Sequence, residues 1–102
     1  MAFHLIYVIC KNKAEADRIS KRLISEKLAA CTNSFPVASR YLWKGKTAQG
    51  KETVLLVKTT RAKAKKAIAI IERMHSYEVP CIISFPHAYA NRAYERWINK
   101  SV

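Results

Sequence analysis

Apolar residues in this chain fall into short β-type runs and stripes at helical spacing, in the order β-α-β-β-α-β plus a last helix. That order constrains the fold more than any other feature. Phe3 to Cys10 is short and rich in β-branched and aromatic residues, which predicts a buried strand. Asn12 followed three residues later by Glu15 makes a capping-box pattern. Ala16, Ile19, Leu23, Ile24 and Leu28 then share one face of a helix running to about Lys27, with Asp17 and Lys21 placed to pair on the solvent side. Thr32 to Lys46 reads as extended, interrupted at Pro36, which has no N–H to give a central ladder. Gln49-Gly50 supplies a turn, and Glu52 to Thr59, with its V-L-L-V run, returns to complete a β-hairpin. Thr59 or Thr60 caps a second helix whose Ala64, Ala67, Ile68, Ile71 and Met74 or His75 share a face. Pro80 ends the connection, Cys81 to Phe85 forms a short apolar strand, and Asn91 caps a last helix with Ala93, Tyr94, Trp97 and Ile98 on one side. The expectation is one ferredoxin-like α+β domain over residues 1–102 with a C-terminal helix.

Two glycines in 102 residues, with half the chain hydrophobic, argue for a packed globule rather than a disordered segment. A formal charge of +12 attracts phosphates, nucleic acids and acidic surfaces, and it also serves solubility. The basic residues are dispersed except for Arg61, Lys63, Lys65 and Lys66. These sit in the first turns of the second helix, where the backbone dipole favours an anion, although a solvated lysine-rich face is the simplest account. Cys10, Cys31 and Cys81 are odd in number and form no C-x-x-C pair, so a reducing, cytoplasmic setting is expected. The apolar start from Ala2 to Cys10 is too short to span a bilayer and has no basic region before it, and no membrane partner is expected.

The chain has no G-x-S-x-G, no H-E-x-x-H and no glycine-rich phosphate loop. Cys31 and His75 are the one conceivable nucleophile–base pair, but single cysteines are most often small buried hydrophobes, and no enzyme is expected. Metal binding has more behind it. Cys10 ends the first strand while Met74 and His75 end the second helix, positions that a ferredoxin-like fold brings toward one end. Thiol, thioether and imidazole form a soft donor set suited to Cu(I). The plain alternative keeps Cys10 in the core and His75 as a helix cap. His4 and His87 have no ligand partner at useful spacing and are expected to face solvent.

Two segments, S-R-Y-L-W-K-G (Ser39 to Gly45) and H-S-Y-E-V-P (His75 to Pro80), concentrate aromatic rings beside charges in extended chain. With L-A-A-C-T-N at Leu28 to Asn33, Glu52, Lys58-Thr59, Tyr94 and Trp97, they run in an order that closely resembles the CutA family, small trimeric proteins named for divalent-cation tolerance. The resemblance implies an intertwined homotrimer whose long second and third strands pair edges between subunits. It implies copper held by Cys10 and His75, with Met74 where some relatives carry a second histidine. Tyr41, Trp43, Glu52, Lys58 and Tyr77 match positions in the family's intersubunit cleft, and a buried Lys58 would need Glu52 or Glu78 as partner. Two departures stand out: Ser76 replaces a proline, and Cys81 replaces an acidic residue. The function expected is therefore non-catalytic binding of copper or related soft metal ions. The alternatives are a small-molecule sensor like the trimeric PII proteins, or a basic anion- or nucleic-acid-binding module. No nucleic-acid motif is recognisable, so specific nucleic-acid binding is not expected.

Overall fold

The computed structural model describes residues 3–102; Ala2, at the start of the first apolar run, lies outside them. Seven elements occur in order: β1 (Phe3–Cys10), α1 (Lys13–Ser25), β2 (Cys31–Trp43), β3 (Lys46–Thr60), α2 (Arg61–Met74), β4 (Ile82–Phe85) and α3 (Arg92–Ser101). The strands form one sheet in the order β2-β3-β1-β4 with every neighbouring pair antiparallel, which is the ferredoxin-like arrangement expected.

One face of the sheet carries the core. Ile6, Val8 and Cys10 of β1 and Leu55 and Val57 of β3 alternate inward. They meet Ala16, Ile19 and Leu23 of α1 and Ala64, Ala67, Ile70 and Ile71 of α2. Ile24, expected on the buried face of α1, is 41 % exposed, because it lies about 100° round the helix from Leu23. On α2, Ile70 is buried and Ile68 is packed at the edge of the core. The solvent-side pair of α1 is Lys13–Asp17 rather than Asp17–Lys21, with a second pair at Arg22–Glu26.

Helix α1 ends at Ser25, two residues earlier than the sequence pattern indicates. Lys27 adopts a left-handed φ of 54°, Leu28 N–H donates to Leu23 C=O and Lys27 N–H to Ile24 C=O. This closes the helix in a Schellman arrangement and turns Leu28 down into the core. Neither Thr60 nor Asn91 caps its helix with a side-chain hydrogen bond. Thr59 instead donates its hydroxyl to Leu28 C=O at 2.7 Å.

The hairpin is longer than the pattern indicates. Its turn is Lys44-Gly45, not Gln49-Gly50; both turn residues have positive φ (51° and 77°), and Trp43 pairs with Lys46 across it. Positive φ at both central residues is the type I′ geometry that matches strand twist. Gly50 lies inside β3, opposite Ser39. Pairing with β1 uses only Thr53 to Thr60, so the seven residues Lys46 to Glu52 and their partners on β2 extend past the sheet as an arm of about 23 Å. The chain measures 44 × 24 × 21 Å, elongated by this arm. Pro36 sits on β2, the edge strand of the sheet, which tolerates a missing N–H.

Helix α3 covers one end of the sheet's second face. Tyr94 lies 6.3 Å from the Phe3 ring and stacks on Trp97, while Ile98 is fully buried. The rest of that face and the arm leave Phe35, Tyr41, Leu42, Trp43, Ile83 and Phe85 exposed.

Candidate functional site

The first turn of α1 sets up a buried polar cluster. Asn12 caps the helix by accepting from Glu15 N–H at 2.9 Å. Glu15 does not complete the capping box on Asn12; its carboxylate reaches past it to Lys11 N–H at 2.7 Å and across to Ser76 N–H at 2.9 Å. The side chain is almost wholly buried. Burial opposes its ionisation, but the Lys11 N–H, the Ser76 hydroxyl and N–H, and the neighbouring His75 together hold its pKa below the usual carboxylate value.

His75, just past the end of α2, faces the same point. Its Nδ1 accepts from Tyr77 N–H at 3.1 Å, so the proton is on Nε2, which donates to Ile9 C=O at 2.6 Å. Nε2 is also 4.0 Å from Glu15 Oε1. Cys10, in register with Thr53, completes the group: one donor atom each from Cys10, Glu15 and His75 lie within 4.8 Å of one another, all buried. Burial, then the Glu15 and Glu52 carboxylates, push the Cys10 thiol up to about 12. It is therefore a neutral thiol at physiological pH and no thiolate nucleophile.

Of the ligand residues expected from the sequence, Cys10 and His75 are brought together. Met74 packs at the edge of the same core. The sequence marks Glu15 only as a helix cap; the signal for more is a carboxylate near the end of an apolar strand that also carries the cysteine. Cys31 is not at this site. It pairs with Lys58, whereas Cys10 pairs with Thr53, five residues or about 16 Å along β3. His4 is buried rather than solvent-facing, bonded through Nε2 to the Ser84 hydroxyl. His87 is exposed as expected.

Beside the cluster lies a groove of about 760 Å³ between the arm and the 76–81 segment, lined among others by Ile9, Tyr41, Trp43, Glu52, Tyr77 and Cys81. Tyr77 OH donates to Glu52 Oε2 at 2.6 Å. Burial and this bond to a carboxylate raise the phenol's pKa. Four of the five cleft residues expected from the sequence therefore meet within the single chain. Lys58 does not: it is six residues from Glu52 on the same strand, about 20 Å away, and its Nζ lies over the Tyr94 ring at 5.7 Å. The aromatic face relieves it of the carboxylate partner.

Cluster and groove share one segment. His75, Ser76 and Tyr77 are fixed by Ile9, Glu15 and Glu52, and Cys81 C=O accepts from Ile9 N–H at 3.1 Å. The groove wall is thus held from behind by the buried carboxylate and imidazole.

The family model described as CutA1 divalent ion tolerance protein matches residues 4–101. The divalent-cation tolerance protein CutA of Archaeoglobus fulgidus is 37 % identical over 99 residues, covering 97 % of each chain. A CutA homolog of Xenopus laevis is 37 % identical over 97 residues, 94 % of this chain and 64 % of that one. Among solved structures, CutA1 from Ehrlichia chaffeensis superposes with a TM-score of 0.92 at 31 % identity, over 98 % of this chain and 94 % of that one. The CutA structure from A. fulgidus gives 0.91 at 36 % identity, over 97 % of both.

Proposed function

We propose that this chain, which belongs to the CutA1 divalent ion tolerance family, is a non-catalytic, homotrimeric, cytoplasmic protein that binds a soft or borderline metal ion, copper before others. The observation that carries the reading is the convergence of Cys10, Glu15 and His75 donor atoms within 4.8 Å in the core. The donor set fits such an ion. A thiolate and an imidazole select copper or zinc over Mg²⁺ or Ca²⁺, and the Glu15 carboxylate beside them moves the preference from Cu(I) toward divalent ions. Binding has a cost written in the hydrogen bonds: Cys10 must lose its proton, and His75 must shift its proton from Nε2 to Nδ1, giving up the bonds to Ile9 C=O and from Tyr77 N–H. The bound ion would supply positive charge that stabilises the thiolate and the Glu15 carboxylate.

The test is a competition titration of the reduced protein with copper, in both oxidation states, and with Zn²⁺ against a chelator. Cys10→Ser and His75→Ala should weaken binding most, Glu15→Gln next and Met74→Leu least. Unchanged affinity in Cys10→Ser would remove the cluster from the function.

Trimerisation is supported by the open edges of the arm, whose β3 side lacks a partner beyond Thr53 among the described residues, and by the exposed Phe35, Leu42 and Trp43. The cytoplasmic assignment rests on three free cysteines. The groove favours a second reading, a sensor that takes a small organic ligand against Tyr41, Trp43 and Tyr77. A thermal-shift screen of metabolites separates the two, since a ligand that prefers the folded protein raises its melting temperature without any metal.

A further inference from the structure

The start of α2 has a different chemistry from the cluster. Its N-cap, Thr60, makes no side-chain capping bond, and the first turn holds no acidic residue. The first backbone N–H groups of a helix have no intrahelical acceptor, and the dipole adds positive potential there. Arg61 opens the helix, and among the described residues neither Arg61 nor His87 has an acidic partner within ion-pair distance.

A second, independent observation lies directly beneath. His4 pairs in register with Thr59, one residue before the cap, and shares the helix-side face of β1 with Ile6 and Val8. It is 94 % buried by area (6 % exposed). Its Nε2 bonds the Ser84 hydroxyl, but its Nδ1 is a buried polar atom with no partner among the described residues. Arg61 and, when protonated, His87 are the groups whose charge bears on the ring. When Ser84 donates to Nε2, the ring proton is on Nδ1, and this buried N–H at an uncapped helix start lacks an acceptor among the described residues.

The geometry points to a binding site for a phosphate-type oxyanion, inorganic phosphate or a terminal phosphomonoester, formed by the α2 N-terminus, Arg61, His87 and His4. Arg61 matches two oxygens of such an anion, the first α2 amides take another, and His4 donates from Nδ1 once Ser84 donates its hydroxyl to Nε2. His4 Nδ1 is buried, so an anion reaches it only with a local shift, and His87, exposed and outside any helix or strand, is the residue beside it with room to make one. This site does not depend on metal binding at Cys10.

The experiment is an NMR titration of the whole protein with inorganic phosphate at constant ionic strength, following backbone amides and histidine rings, with phosphoserine as the esterified arm. Saturable shifts confined to the Arg61–Lys63 amides, His4 and His87 support the site. Arg61→Ala should weaken affinity ~10-fold, the loss of one charge-assisted contact, and Lys66→Ala should leave it unchanged. His4→Gln tests the ring directly, and the exposed Arg61 variant carries the test if that one fails to fold. Four results would overturn the site: shifts that spread over all lysines without saturating, an unmoved His4 ring, equal losses in Arg61→Ala and Lys66→Ala, or a DNA duplex that binds here while both small phosphates do not.

Discussion

Replacing Glu15 by Gln keeps the shape of the side chain and removes its charge, so the cost can be worked out from two hydrogen bonds. The carboxylate accepts from Lys11 N–H on one oxygen and from Ser76 N–H on the other. An amide supplies one acceptor and places an NH₂ against the second donor. One backbone N–H is then orphaned in a buried setting, at about 1–3 kcal/mol, and a charge-assisted bond becomes a neutral one. The combined loss is about 3 kcal/mol per protomer. Urea unfolding at fixed protein concentration measures it, the fixed concentration being needed because the proposed assembly would contribute to apparent stability. The pH dependence gives a separate check. Glu15 has a folded pKa below its unfolded one, so its contribution is fully present above the unfolded value and is lost as pH falls through the folded value. Wild type should lose that stability on acidification, and Glu15→Gln should lose less over the same range. A variant within about 0.5 kcal/mol of wild type at neutral pH, or one with the same acid slope, would refute the idea that Glu15 anchors the segment.

Copper affinity should rise as pH increases toward the Cys10 value of about 12, because binding releases the thiol proton; a flat profile in the competition titration would exclude thiolate ligation. Gly45→Ala should destabilise the hairpin by about 1 kcal/mol. Its φ is +77° and, among the described residues beyond its chain neighbours, no atom lies within 4 Å of the added methyl group, so the loss is backbone strain alone and thermal denaturation should show it. Trp43→Ala should shift the proposed homotrimer toward smaller species in light scattering at micromolar concentration, and an unchanged mass would place the interface elsewhere. Tyr77→Phe, which deletes the bond to Glu52, should cost about 1 kcal/mol in chemical denaturation while leaving metal affinity close to wild type.

The order of elements is legible in the sequence because each apolar stripe has a clear period. The Ala16–Ile19–Leu23 and Ala64–Ala67–Ile71 faces are buried as expected. The turn is not legible, because Gln49-Gly50 and Lys44-Gly45 are both plausible on composition. Strand pairing chose the second, whose two positive φ values suit the twist, and took the first into the ladder. At the site, Cys10 and His75 are legible from their positions at element ends, while Glu15 is hidden by its local role. A carboxylate three residues after an N-cap reads as a helix cap, and only the fold brings Ser76, 61 positions away, within its reach. Lys58 misleads for a related reason. Its position in an apolar strand asks for a partner, and sequence cannot show that the partner is the ring of Tyr94.

The clasp on residues 75–77 has a kinetic meaning. Its contacts join parts of the chain 61 and 66 residues apart, Glu15 to Ser76 and Ile9 to His75, whereas the β2–β3 ladder zips outward from a two-residue turn. Loop-closure entropy sets the first against early formation and the second in favour of it. The arm is therefore expected to nucleate the fold and the clasp to lock it last. The amides of Ser76 and Tyr77 would then gain protection in the final phase of a pulse-labelled refolding experiment, after those of the hairpin, and their simultaneous protection would show that clasp and hairpin form together.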